Sequence, residues 1–223
     1  MDRQEILRYL GGAKPTSTLN AMIDQAEQAV LQASTPRFLS GKFSLSVSQG
    51  DVILGGTRVP SKTLAAHLQG CQEVFLVAFT LGPGVDALIK RQELTNMPMV
   101  PVLQACAAAY TEEQADLAQA DIEAYAAARG LYPRPRYSPG YGDFPLTCQR
   151  FLFEALQVSK KIGITLTENC FMLPTKSITG VVGLSADPSL CHVGKCMTCS
   201  AEDCPFRKAK DENDLHREDD AHG

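Results

Sequence analysis

The stretch EVFLVAFT, residues 73–80, decides the fold because it is a continuous apolar run of strand length. Its composition is rich in residues that favour strands, and such a run is typical of a buried strand. We therefore predict a central strand here, followed by a tight turn at residues 81–84 (LGPG) and a helix through Asp86 and Ile89. The two glycines of that turn lack the spaced third glycine of a nucleotide-binding loop, so a strand-to-helix turn explains them better.

The residues before this strand follow two different periods. Residues 17–34 carry an apolar stripe at helical spacing, formed by Leu19, Ile23, Ala26 and Val30, which predicts an amphipathic helix. Residues 38–59 alternate with period two, turn at residues 48–51 and reach a glycine pair at 55–56, which predicts a β-hairpin. Residues 61–69 are predicted to form a short helix.

The residues after the strand predict two longer helices and then extended chain. Residues 97–129 are alanine-rich with a heptad-spaced apolar pattern, and Gly130 is placed to end a single long helix. A second helix carries a stripe of Phe151, Ala155, Val158 and Ile162, with Gly163 as its left-handed cap. Residues 163–185 predict two short extended pieces separated at Pro174.

The amino-acid composition and net charge limit the classes of function that this protein can have. The 223 residues are 44% hydrophobic and 21% charged, as in an ordinary globular protein. A net charge of −4 disfavours a generic nucleic-acid binder, which normally presents a basic face. The sequence shows neither a signal peptide nor an apolar run long enough to span a membrane, so we expect no membrane partner and a cytoplasmic location. Residues 208–223 alternate in charge and are expected to be disordered.

A stiff loop, RPRYSPGYGDFP at residues 134–145, separates the two long helices. Its prolines restrict the backbone, and Arg136 offers a planar fork of donors suited to a carboxylate or a phosphate. Gly140 and Gly142 would let a flat ligand approach the backbone, while Tyr137 and Tyr141 offer ring faces to a cation or a heterocycle. From residue types alone, a loop that merely packs against the core explains the same pattern equally well.

The eight cysteines fall into two groups. Cys71, Cys106, Cys148 and Cys170 are scattered through apolar or helical segments, and each is read as a small buried hydrophobe. The other four form a C-x4-C-x2-C-x4-C array, which predicts a zinc site or an iron–sulfur cluster bound by Cys191, Cys196, Cys199 and Cys204. His192 could replace one ligand, and reduced or redox-active thiols are the alternative.

The motif R-Y-S-P-G-Y at residues 136–141 fits the Arg-x-x-x-Gly-Tyr signature of a known family. Together with LGPGVD at 81–86, ITLTE at 164–168 and MLPTKS at 172–177, it resembles the activation (reactivation) domain of cobalamin-dependent methionine synthase. That domain binds S-adenosylmethionine, and the chain looks like its small free-standing version. The resemblance covers roughly residues 60–207.

The resemblance implies a fold and a set of site residues. The fold is α+β, a twisted and largely antiparallel sheet with packed helices, followed by a Cys-rich C-terminal tail. Arg136 would grip the methionine carboxylate, Pro139 and Gly140 would lie against S-adenosylmethionine, and Tyr141 would face the cobalamin near the reacting methyl group. An acidic ligand residue would correspond to Glu112 or Glu113. An Arg136 guanidinium buried in an internal ion pair would contradict this assignment.

The chain also departs from the fused domains of the family. Residues 142–145 (GDFP) replace a small-residue Cys-Pro segment, and Val181-Val182 stand where a second tyrosine lies near the ligand. We expect residues 1–60 to form an N-terminal helix and hairpin within the main domain, and residues 61–188 to form the activation-domain-like core. A Cys-rich segment at 189–207 and the tail at 208–223 would follow.

The implied function is reductive reactivation of a partner's cobalamin. A flavodoxin- or ferredoxin-type protein would supply the electron, S-adenosylmethionine would supply the methyl group, and this chain would be a component of a methyltransferase. No general base is needed, because its contribution would be proximity and orientation. Two alternatives stay open: a non-catalytic, metal-stabilised adaptor, and an activator of another corrinoid-dependent methyltransferase.

Overall fold

The computed structural model of the protein describes residues 1–48 and 50–190. Within them the helices are α1 (Arg3–Tyr9), α2 (Ser17–Ala33), α3 (Lys62–His67), α4 (Pro83–Thr95), α5 (Met99–Leu117), α6 (Ala120–Ala127), α7 (Gln149–Leu156) and α8 (Val158–Ile162). The strands are β1 (Arg37–Phe43), β2 (Leu45–Ser48), β3 (Asp51–Leu54), β4 (Thr57–Pro60), β5 (Cys71–Thr80), β6 (Tyr132–Pro133), β7 (Thr165–Leu166), β8 (Met172–Leu173) and β9 (Ser177–Ser185).

The main sheet has the strand order β1-β5-β9-β6, and all its neighbouring strands are antiparallel. The predicted central strand is confirmed, since β5 lies between β1 and β9. Its side chains alternate between two covered faces, so both Leu76 and Phe79 are buried. The predicted α+β fold class with a largely antiparallel sheet is therefore confirmed.

Each face of the main sheet has its own apolar cluster. On one face, β5 and β9 pack against the three-stranded sheet β2-β3-β4 and helices α3, α7 and α8, through residues such as Leu54, Leu64 and Leu152. On the other face they pack against α1, α2, α4 and α5, through residues such as Ile23 and Leu103. Helix α6 covers the end of this second face, near Val182 and Leu184 of β9.

Several element boundaries differ from the sequence-based expectations. The single long helix is two helices, because the chain bends at Ala118 and Gln119, where the backbone leaves the regular α-helical hydrogen-bond pattern. The second helix is also interrupted, since Gln157 adopts a left-handed conformation with a φ of 56°. Gly163 ends α8 in that conformation, as predicted.

The predicted hairpin is present as β2 and β3, but the segment around it is larger than expected. The glycine pair at 55–56 turns the chain into a third strand, β4, and β1 leaves the hairpin to pair with β5 over seven residues. Of the two extended pieces expected in 163–185, the second is one strand of nine residues, β9. Its length places it beside β5 along the whole sheet.

The scattered cysteines lie in or beside the core. Cys106 and Cys170 are buried, Cys71 and Cys148 are half-buried, and all four thiols are free. Over residues 1–48 and 50–190, no helix has the length and apolar character needed to cross a bilayer. The predicted cysteine metal site and the predicted disordered tail at 208–223 lie outside the described residues.

Candidate functional site

The loop at residues 134–145 begins as an irregular extension of the sheet. The Arg134 amide donates to the Gly183 carbonyl at 2.8 Å, and Tyr137 exchanges two backbone hydrogen bonds with Val181 at 2.9 and 2.8 Å. The loop therefore runs antiparallel to β9 along its outer side. Adjacent residues of an extended chain point to opposite faces, so Arg136 points towards α5 and Tyr137 towards α3.

Arg136 is the buried cation of this loop, with only 5% of the residue exposed. Its Nη2 atom donates to Oε2 of Glu112 at 2.7 Å, and its Nη1 atom lies 3.1 Å from Oδ1 of Asp116. The contact with Asp116 is within ion-pair distance but lacks hydrogen-bond geometry. Nη1 therefore makes no hydrogen bond to any described residue, and neither does Nε.

The two carboxylates are placed by α5. Glu112 and Asp116 are four residues apart and therefore share one helix face. Their side chains are 40% and 69% exposed, whereas the guanidinium side chain is 4% exposed. The pair thus combines a buried cation with carboxylates that reach solvent. Of the two acidic candidates left open by the sequence, Glu112 contacts Arg136, while Glu113 lies 3.5 Å from the N-terminal amine.

Gly180 makes room for the arginine. A Cβ atom built at Gly180 would lie 2.6 Å from Cγ of Arg136 and 3.2 Å from its Cδ. The aliphatic part of Arg136 therefore fills the space over β9 that any larger residue would occupy. This contact fixes the path of the side chain from the loop to α5.

Arg136 is buried in an ion pair within the chain, which is the arrangement expected to contradict its assignment to a ligand. Two features of the pair nevertheless keep the assignment of Arg136 to a ligand as a proposal. The carboxylates are exposed, and two of the three guanidinium nitrogens lack a hydrogen bond among the described residues. Buried donors without partners are unfavourable by about 1–3 kcal/mol each, so these atoms call for water or a ligand.

Tyr137 and Gly142 pack the loop against the core, which is one of the two explanations left open for this loop. The Tyr137 ring stacks on His67 at a centroid distance of 4.7 Å and lies 6.3 Å from the Phe144 ring. Gly142 has a φ of 54°, and a Cβ there would lie 2.5 Å from Oγ1 of Thr63 and 2.8 Å from the Tyr137 hydroxyl. Both residues therefore pack the loop against α3.

The outward part of the loop is the turn around Gly140 and Tyr141. Gly140 has a φ of 97°, and its amide donates to the Phe144 carbonyl at 2.8 Å. Phe144 is 1% exposed and anchors the turn, and Pro139 is also buried. Tyr141 is 46% exposed, so its ring is the aromatic surface that this turn presents to solvent.

Asp143 holds the loop in place and was not singled out from the sequence. Its Oδ1 accepts hydrogen bonds from the hydroxyls of Ser61 and Thr63, both at 2.6 Å, and Oδ2 accepts from the Lys62 amide at 2.9 Å. These donors hold the pKa of the Asp143 carboxyl well below its usual range. Nothing local predicts this contact, because its donors lie about 80 residues earlier.

Two of the other motif segments meet each other. Asp86, in the first turn of α4, accepts from the amide and the hydroxyl of Thr175 at 2.7 and 2.6 Å. The Leu81 amide donates to the Lys176 carbonyl at 2.9 Å. The LGPG turn serves packing, as predicted, since a Cβ at Gly84 would lie 2.1 Å from the Ala33 carbonyl oxygen.

The site lies where the loop, α5 and β9 meet, and we call this place the seam. Two surface depressions lie elsewhere, one lined by Met1 and Glu27 and the other by Phe153 and Lys160. Neither contains a residue of the loop, so depth alone does not identify the site. The described part of the chain contains no group of three or more His, Cys, Asp or Glu residues placed to hold a metal.

Comparisons with known proteins agree with the motifs. A family model described as vitamin B12 dependent methionine synthase, activation domain, matches residues 108–209. A crystal structure of the MetH reactivation domain bound to AdoHcy has a TM-score of 0.60 and 18% identity, over 87% of this chain and 71% of that chain. No curated protein sequence matches the chain. The predicted resemblance to the methionine synthase activation domain is therefore confirmed, and the structural match shows a shared fold.

Proposed function

We propose that this protein binds S-adenosylmethionine at the seam beside loop 134–145 and presents it to a cobalamin-carrying methionine synthase for reductive reactivation. The observation that carries the proposal is the buried Arg136 guanidinium with two nitrogens that lack hydrogen bonds among the described residues. The match to the activation-domain family supports it, as does the related reactivation domain, which is bound to AdoHcy.

Arg136 would bind the carboxylate of the methionine moiety. A guanidinium forms two parallel hydrogen bonds with a carboxylate through Nη2 together with either Nε or Nη1, so one of these two atoms, which lack hydrogen bonds among the described residues, would act with the second hydrogen of Nη2. Glu112 would remain on Nη2 or turn to the ammonium group of the ligand, because its side chain is 40% exposed and can move. The ligand would thereby give a hydrogen bond to a guanidinium nitrogen that has none among the described residues.

Pro139, Gly140 and Tyr141 would form the remainder of the contact. Gly140 is exposed and carries no side chain, so a ligand can lie against its backbone. The Tyr141 ring reaches solvent and offers its face to the positively charged sulfonium. We assign Tyr141 the position next to the partner's corrin, where it would orient the methyl group and exclude water.

The contribution of the chain to the reaction is binding and orientation. The partner's cobalamin supplies the cobalt chemistry, and a flavodoxin- or ferredoxin-type protein supplies the electron. Holding the methyl donor beside the corrin converts an encounter between two molecules into a step within one complex. A proton-transfer group is not required for transfer of a methyl group from a sulfonium.

Calorimetric titration tests the ligand. We expect saturable binding of S-adenosylmethionine to the wild-type protein. Replacing Arg136 by Met should weaken binding by about tenfold to a hundredfold, because charge-assisted hydrogen bonds contribute about 1.5–3 kcal/mol. Arg129→Met, which removes an arginine over the Tyr125 ring of α6, is the matched control and should bind normally. The absence of saturable wild-type binding would favour the adaptor alternative.

A reconstituted assay tests the partner. A methionine synthase lacking its own activation domain should recover turnover from oxidised cobalamin when this protein, S-adenosylmethionine and a reduced flavodoxin are added. Tyr141→Ala should bind S-adenosylmethionine but restore turnover poorly. Failure of the wild-type protein to restore turnover, despite normal ligand binding, would favour another corrinoid-dependent methyltransferase as the partner.

We also propose that Cys191, Cys196, Cys199 and Cys204 bind zinc or an iron–sulfur cluster, on the basis of their spacing. Metal analysis and an absorption spectrum of protein purified without oxygen distinguish the outcomes. A colourless protein with one zinc per chain indicates a structural ion, and a brown protein with iron indicates a cluster. Cys199→Ser should lower the metal content, and a wild-type protein without either metal contradicts the proposal.

A further inference from the structure

Lys176 lies on the same seam as Arg136. Side chains of a strand alternate, so Ile178 and Gly180 of β9 share one face of the main sheet, and Lys176, which directly precedes β9, continues this alternation. Ile178 packs against the apolar cluster that contains α5, and Arg136 covers Gly180 on this face. The Lys176 ammonium accordingly reaches α5, where its Nζ atom lies 3.4 Å from the Gln104 carbonyl oxygen.

The Lys176 ammonium is half-buried and poorly satisfied. It has three N–H donors, and the Gln104 carbonyl is its one hydrogen-bond acceptor within the described residues. Asp86 exerts a favourable charge effect, but each of its carboxylate oxygens accepts a hydrogen bond from Thr175 instead. Burial lowers the pKa of Lys176. The group therefore has spare donors in a partly desolvated position.

The backbone spacing of the positions that hold the two cations suits an elongated ligand. Lys176 and Gly180 are four positions apart, or about 13 Å in an extended chain. Their contacts on α5, Gln104 for Lys176 and Glu112 for Arg136, are eight positions apart, or about 12 Å along the helix. Half-buried Ala108 lies between these two positions on the helix, so a small side chain lines the middle of the seam.

We propose that Lys176 is a specificity-determining residue that donates hydrogen bonds to the nucleoside end of the ligand whose carboxylate lies on Arg136. This inference rests on the proposed function. The ribose hydroxyls and adenine ring nitrogens are neutral acceptors at the end of S-adenosylmethionine remote from its carboxylate. The sulfonium charge would lie between the two ends, away from both protein cations.

A comparison of two ligands distinguishes the contact made by Lys176 from the contact made by Arg136. S-methylmethionine keeps the carboxylate, the ammonium and the sulfonium of S-adenosylmethionine but lacks the nucleoside. Calorimetric titration should show that Lys176→Met weakens S-adenosylmethionine binding about tenfold, as expected for a lost charge-assisted hydrogen bond, and leaves S-methylmethionine binding unchanged. Lys176→Gln is the second variant, and Lys90→Met, an exposed lysine of α4, is the matched control.

The outcomes distinguish this inference from the proposed function. If the wild-type protein binds S-adenosylmethionine and both Lys176 variants bind it equally well, the inference is wrong and the proposed function stands. Equal weakening of both ligands would show that Lys176 acts on the carboxylate end and would also overturn the inference. If the wild-type protein does not bind S-adenosylmethionine, both proposals fail.

Discussion

Arg136 illustrates how a residue can be assigned from sequence while its surroundings cannot. The Arg-x-x-x-Gly-Tyr motif identifies the residue, but its pairing with Glu112 and its passage over Gly180 depend on chain segments that are 24 and 44 positions away. Tyr137 looks equivalent to Tyr141 in the sequence, yet it packs on His67. Local patterns predict residue chemistry, whereas these contacts follow from the sheet register.

Asp143 provides a prediction at the scale of one residue. Its folded-state pKa is lowered, so its stabilising contribution is present above the ordinary aspartate pKa of about 3.9 and is lost as the pH falls through the folded value. Asp143→Asn should therefore lower the urea midpoint at pH 7, and the difference from wild type should narrow below about pH 4. Asp121→Asn, an exposed aspartate of α6, is the control. A difference that stays constant with pH would contradict this role.

Gly142 gives a second residue-scale prediction. Alanine there would combine a strained backbone at a φ of 54° with a Cβ 2.5 Å from Oγ1 of Thr63. We expect Gly142→Ala to detach the loop from α3, lowering the free energy of unfolding by about 1–3 kcal/mol. Denaturant titration measures the change, and a neutral effect would show that the loop does not depend on this packing.

At the scale of elements, the helices and strands were largely predictable and their interruptions were not. The bend between α5 and α6 falls in an alanine-rich run without glycine or proline, so no local signal marks it. The nine-residue length of β9 was underestimated, because its composition of Thr, Val and Gly resembles short extended pieces. Burial of the whole strand beside β5 favours the longer element, and this depends on tertiary packing.

The contact between the loop and β9 yields a prediction at this scale. Gly180→Ala would place a methyl group 2.6 Å from Cγ of Arg136, so the guanidinium must leave its position over the strand. We expect a loss of about 1–3 kcal/mol of stability together with weaker S-adenosylmethionine binding. Gly41→Ala, in β1 beside Leu156 and Phe43, is the control and should affect stability alone. Unchanged ligand affinity in Gly180→Ala would show that the arginine path is not required.

At the scale of the whole molecule, the seam joins segments from distant parts of the chain. Helix α5 contributes buried residues to the core and also carries the carboxylates around Arg136. The core and the proposed ligand site therefore share this helix. A ligand that binds only the folded state stabilises it, so S-adenosylmethionine at a hundred times its dissociation constant should stabilise the protein by about 2.7 kcal/mol. Thermal unfolding should show a higher midpoint with ligand, and Arg136→Met should reduce this stabilisation to about 0.4–1.4 kcal/mol at the same ligand concentration, because its binding is expected to be tenfold to a hundredfold weaker.

A double-mutant cycle on the carboxylate tests the central claim most directly. Calorimetric titration of wild-type protein and Arg136→Met with S-adenosylmethionine, and with its decarboxylated analogue, isolates the pairing of Arg136 with the ligand carboxylate. We predict that the wild-type protein prefers S-adenosylmethionine by about tenfold or more and that Arg136→Met loses this preference. An equal preference in both proteins would show that Arg136 does not bind the carboxylate.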